Sequence, residues 1–120
     1  MADKETLFVS RVHEDNPAIG IIELGKFVLG GNEALDFVTQ IETFSKQGVK
    51  HIIIDLKHVE LMNSSGLGML VSGLRNMKKH NALLKLVSIP PKVENLLKMT
   101  HLDEVFDSYN DIELAIKNCQ

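Results

Sequence analysis

The stretch HIIIDLKHVELMNSSGLGML, His51 to Leu70, decides the fold. It opens on a compact β-branched run, His51-Ile52-Ile53-Ile54-Asp55-Leu56, with no alternation of apolar and polar positions. A strand wetted on one face alternates, whereas a strand covered on both faces reads as one apolar run. The run therefore predicts a central strand. Beyond Asn63-Ser64-Ser65-Gly66, the residues Leu67, Leu70, Val71, Leu74 and Met77 lie on a single helical stripe that stops before His80-Asn81. Five large side chains on one helix face need burial, which makes that stripe core.

Working outward, Thr6–Val12 and Ala18–Leu24 are β-rich and separated by Glu14-Asp15-Asn16-Pro17, a turn-forming group, so they predict a hairpin. Glu33–Lys46 carries Ala34, Phe37, Val38, Ile41 and Phe44 at helical spacing, closed by Gly48. Downstream, Leu83–Ile89 predicts another apolar strand. Pro90-Pro91 then opens a helix, since a proline in the first turn removes an N–H that has no partner there, and Val93, Leu96 and Leu97 face inward. Glu104-Val105-Phe106 is expected as a short strand, and Asp111–Lys117 as a last helix burying Ile112, Ala115 and Ile116. This order builds an α/β layer structure with at least two parallel strands joined by right-handed crossovers. In such sheets the carboxyl ends of the strands are the usual functional edge, and the Asn-Ser-Ser-Gly turn lies on it.

The bulk numbers bound the function. At 120 residues the chain, residues 1–120, is expected to be a single domain, and 44% hydrophobic with 24% charged residues fits a globular chain. A net charge of -3 argues against a broad nucleic-acid surface; the one basic cluster, Arg75 with Lys78 and Lys79, reads as a solvated helix face. Cys119 is the sole cysteine, which excludes an internal disulfide and fits a reducing compartment. No apolar run approaches the roughly 20 residues of a membrane span, and the first ten residues, MADKETLFVS, lack the pattern of a secretory signal. The expected location is the cytoplasm.

A helix start leaves its first N–H groups unpaired, and Asn63, Ser64 or Ser65 could each cap them. Gly66 and Gly68 ask for more than a cap, because glycine inside a helix costs about 1 kcal/mol relative to alanine. Something should approach this backbone closely, either a neighbour within the fold or a partner. Enzyme readings fail on the residues. Neither serine has the Gly-x-Ser-x-Gly elbow of a hydrolase, and neither Gly25–Gly31 nor Gly66–Gly73 supplies the lysine of a phosphate-binding loop. The five histidines, His13, His51, His58, His80 and His101, have no second ligand at metal-binding spacing. No cofactor or metal is expected.

Asp55-Leu56-x-x-Val59-x-x-Met62-Asn63-Ser64-Ser65-Gly66-Leu67-Gly68 resembles the signature of the STAS-domain family, in particular its free-standing bacterial anti-sigma-factor antagonists. The similarity continues through Leu83–Ile89 and Lys92-Val93-x-x-Leu96-Leu97-x-x-Thr100-x-Leu102-x-x-Val105-Phe106. The resemblance implies a STAS fold, a mixed sheet of about four to five strands with about four helices on it. It also implies a binding module that is not an enzyme. Members bind a partner that is both anti-sigma factor and serine kinase, freeing the sigma factor; the kinase phosphorylates the first serine of the turn, and a PP2C-type phosphatase reverses this. By position that serine is Ser64, and the implied docking surface comprises Asn63, Ser64, Ser65, Gly66, Gly68, Met69 and Ser72, with Met69, Ser72 and Arg75 lying off the apolar stripe. Two departures stand out. Asn63 replaces the usual aspartate before the serine, and Gly25-Lys26-Phe27 leads into Val28-Leu29 where an acidic residue is common. The alternative implied role is a STAS subunit of a stress-signalling or lipid-transport complex, a scaffold acting without phosphorylation, in which Ser64 caps the helix and need not be modified.

Overall fold

The computed structural model describes residues 8–119. In chain order the elements are β1 (Phe8–Val12), β2 (Ile19–Leu24), β3 (Phe27–Val28), α1 (Asn32–Lys46), β4 (His51–Asp55), β5 (Leu61–Met62), α2 (Ser64–Lys79), β6 (Leu83–Val87), α3 (Pro91–Met99), β7 (Asp107–Tyr109) and α4 (Ile112–Lys117). Five strands form a mixed sheet in the order β1-β2-β4-β6-β7. β1 runs antiparallel to β2, while β2, β4, β6 and β7 are parallel neighbours. The expected hairpin is the β1–β2 pair; Thr6 and Leu7, included in its first strand, lie outside the described residues.

β4 is the central strand that its composition demanded. Ile52 and Ile54 join the large core under α1, α2 and α3, with Phe37, Ile41, Leu70, Met77, Leu84 and Leu86. Ile53 points the other way, into a smaller cluster with Ile19, Ile21, Val87, Ala115 and Cys119 beneath α4. All three isoleucines are completely buried. Burial on opposite faces of one strand is why no polar alternation was present.

Two features differ from the sequence reading, and a third adds to it. The strand expected at Glu104–Phe106 forms three residues later, at Asp107–Tyr109, because Phe106 is buried as a core side chain and the chain pairs with β6 only from Asp107 onward. The two-residue strands β3 and β5, which pair in parallel with Val28 opposite Met62, had no periodicity long enough to be read. Finally, α2 and α3 end without glycine. Asn81 and His101 take the left-handed conformation at φ 57° and 61°, and the next residues donate back into the helices, Ala82 N–H to Met77 O at 2.9 Å and Leu102 N–H to Leu97 O at 2.8 Å. These are glycine-type helix terminations made by other residues; Gly48, after α1, is the ordinary case at φ 91°.

The strain at His101 is removable. His101→Gly is expected to raise unfolding stability by up to about 1 kcal/mol, measured by urea denaturation, since a left-handed non-glycine residue costs roughly 1–2 kcal/mol and glycine's greater unfolded freedom returns part of it.

His51, at the start of β4, has its Nδ1 buried without a hydrogen-bond partner, and its imidazole is held below its usual range by burial and then by the nearby Lys85 charge. A histidine with a lowered folded pKa favours the fold where it is neutral. Stability should therefore be complete above the unfolded imidazole value of 6.5 and fall as the pH drops below it. Urea midpoints between about pH 7.5 and 5 should show this decline, and His51→Gln should flatten it.

Candidate functional site

The Ser64 turn is seated from below by β3. The Val28 carbonyl accepts the Asn63 N–H at 3.4 Å, directly beyond the β3–β5 pairing. The same carbonyl lies against Gly66, where any Cβ would overlap it. Gly66 is thus glycine because of an internal neighbour. A second loop closes the arrangement: Gly30, buried and at φ 83°, abuts Ser65, and a Cβ on it would come within 2.7 Å of the Ser65 Cβ. The turn is consequently clamped on its inner side by Val28 and Gly30, with its outer side free.

Of the three candidate caps, Asn63 is the one used. Its backbone is extended, and its Oδ1 accepts the Gly66 N–H at 2.8 Å, while Leu67 N–H donates to the Asn63 carbonyl at 2.9 Å to begin α2. Ser64 and Ser65 are exposed, and among the described residues none hydrogen-bonds the Ser64 hydroxyl. Neither an ion-paired neighbour nor a capping duty occupies it. The first turn of α2 contains no acidic residue, so the partial positive charge of the helix start is left uncompensated beside that hydroxyl.

The remaining residues divide. Gly68 and Ser72 are exposed along α2 with Arg75, and nothing lies within 4 Å of a Cβ built on Gly68. Met69 is a correction: it is 1% exposed and belongs to the large core, so it offers no docking contact. The helix turns a wide apolar arc inward, and Met69 falls within that arc beside Leu70 rather than on the outer face. Sequence reasoning missed Val28, Gly30, and three apolar side chains at this edge, Leu29, Leu35 and Leu61, exposed by 42%, 71% and 51%. The Gly30-Gly31 pair was the available signal. Asp55, 2% exposed, ends β4 by accepting the Lys57 N–H at 3.0 Å, with the Lys57 ammonium 3.6 Å away, and so directs the chain into the 57–62 loop. Among the described residues no group of three His, Cys, Asp or Glu side chains could hold a metal ion, and no helix is long and apolar enough to cross a membrane.

The sequence profile of the STAS domain matches residues 12–115. The chain belongs to the STAS-domain family. A Thermotoga neapolitana relative, named as a candidate anti-sigma factor antagonist, is 30% identical over 79 residues, covering 66% of this STAS domain's chain and 70% of its own. The crystal structure of a candidate anti-sigma factor antagonist from Thermotoga maritima superimposes with a TM-score of 0.72 at 26% identity, covering 92% of each chain. The Bacillus cell fate determinant SpoIIAA in its phosphorylated form gives a TM-score of 0.68 at 18% identity over 93% of this chain and all of that one, a likeness of fold.

The two glycines of the turn should respond oppositely. Gly66→Ala is expected to cost about 2 kcal/mol or more, the scale of overpacking against fixed backbone, whereas Gly68→Ala should stabilise by about 0.5–1 kcal/mol through helix propensity. Urea denaturation of both variants checks this.

Proposed function

We propose that this STAS domain, one domain over the whole chain, is a cytoplasmic anti-sigma-factor antagonist. It binds an anti-sigma factor that is also a serine kinase and thereby frees the sigma factor; phosphorylation of Ser64 switches it off, and a PP2C-type phosphatase restores it. The observation that carries the reading is the division of labour in the turn: Asn63 does the capping, so the exposed Ser64 hydroxyl is spare. The names of its relatives as anti-sigma factor antagonists support the partner class.

The chemistry follows from the geometry. A phosphoryl group on Ser64 brings about -1.5 to -2 charges at pH 7. In the free domain it would stand in water beside unpaired helix N–H groups, which favour an anion. Within a docked interface the same charge would lose its water, and burial of an unpaired ion costs far more than loss of a hydrogen bond. Reversing a 99:1 equilibrium takes about 5.5 kcal/mol. The rigid inner clamp of Val28 and Gly30 lets the modification change the surface without disturbing the core. Asn63 keeps the cap while removing a charge next to the acceptor serine, which bears on which kinase reads the turn. Exposed Ser65, Gly68 and Ser72 extend the docking surface along α2, and Leu29 and Leu35 flank it.

Phosphopeptide mapping of the protein from its own cells should place a reversible phosphate on Ser64. In parallel, Ser64→Ala should retain binding to the kinase partner while Ser64→Asp weakens it by roughly a hundredfold or more, as an unpaired buried charge predicts. Equal binding by both variants, with Ser64 unmodified through growth and stress, would instead indicate an unphosphorylated scaffold subunit.

A further inference from the structure

On the opposite face of the sheet from α1–α3 lies a group that the switch does not use. Lys85 is 3% exposed in the middle of β6. Strand alternation places it with Val87, whose cluster sits under α4, and away from Leu84 and Leu86 in the large core. Its ammonium is 3.9 Å from the nearest carboxylate, Asp107 Oδ2, beyond hydrogen-bond length, and that side chain is itself 61% exposed. Among the described residues this is its one ion pair. An ammonium held this way has exchanged most of its hydration for one loose ion pair.

What covers this face is thin. α4 has six residues, too short for stability of its own, and rests on Ile19, Ile21, Ile53 and Val87 through Ile112, Ala115, Ile116 and Cys119. Three hydrogen bonds of this segment turn inward. Asp111 Oδ1 accepts the Leu114 N–H at 2.9 Å, Asn118 Nδ2 donates to Leu114 O at 2.9 Å, and the Cys119 thiol donates to Ala115 O at 3.2 Å. Clefts of about 420 and 550 Å³ flank the helix on the side of the β1–β2 hairpin, bordered by Ile21 and Ile112 in one and by Ile19 and Cys119 in the other.

We propose that residues 111–119 form a strap that detaches from the sheet while the rest of the fold stays intact, and that the charge of Lys85 sets how often it does so. Detachment separates apolar surfaces, keeps the segment's internal hydrogen bonds and gives the Lys85 ammonium access to water. The open form bares Ile19, Ile21, Ile53 and Val87, a sheet surface remote from the Ser64 turn.

Cys119, the chain's one cysteine and 5% exposed, reports the opening. The full chain would be labelled with a disulfide reagent, Ellman's reagent, at increasing low urea concentrations, alongside amide hydrogen exchange of the β4 peptide. The strap predicts labelling at least on the order of a hundredfold faster than β4 exchange allows for global opening, and nearly independent of urea, because local opening exposes little surface. Labelling that tracks β4 exchange with the same urea dependence would overturn the strap. Lys85→Met should slow labelling on the order of tenfold or more; an unchanged rate in a folded Lys85→Met protein would overturn the role of the charge. Should that variant not fold, Lys85→Gln, which removes the charge and keeps a polar end, is read by the same criterion.

Discussion

The carbonyl of Val28 is the point on which the candidate site depends. It accepts the Asn63 N–H and lies against Gly66, so one backbone atom fixes both the residue that caps α2 and the residue that must have no side chain. Remove that contact and the turn has no floor; keep it, and the two exposed serines stand on a rigid base. The two-residue β3–β5 pairing exists to deliver this carbonyl. Its weakness as an isolated ladder is offset by the packing of Val28 and Met62 into the main core.

From this contact the functional logic of the turn separates into an inner and an outer half. The inner half is ordinary structural chemistry: a cap, a close approach and a left-handed glycine at Gly30. The outer half is a hydroxyl with no structural duty, at a helix start without an acidic first turn. A modification at such a place acts on whatever docks there, because the fold has not used the atom that changes. Rigidity underneath and freedom on top are both needed for a surface switch.

The two faces of the sheet are built to different standards. Three helices and a large continuous cluster cover one; a short helix over a small cluster, with a poorly paired lysine beneath, covers the other. The Ser64 edge is anchored to the first face through Leu67, Leu70 and Met69, and events beneath α4 are separated from it by the thickness of the sheet. Stability in such a layered domain is not uniform, and the thinly covered face is where local opening is least costly.

The sequence by itself determined the layer order and the central strand, and it singled out the serine turn as the candidate site. Ile52-Ile53-Ile54 is legible because burial on both faces leaves a local trace, an unbroken apolar run; the stripe from Leu67 to Met77 is legible because helix period and core contact coincide. The serine turn was visible as a surplus of capping residues between those elements. What only the tertiary structure decided were relations between residues distant in the chain. Which of Asn63, Ser64 and Ser65 caps the helix depended on the height at which Val28 holds the turn. Gly66 and Gly68 look alike in sequence, yet one meets a carbonyl from 38 positions earlier and the other meets open solvent. Met69 is inside because α2 is wrapped more widely than its stripe implied, and β7 begins at Asp107 because Phe106 is taken by the core. Periodicity records which way a residue faces along its own element; it carries no record of what the rest of the chain brings to meet it.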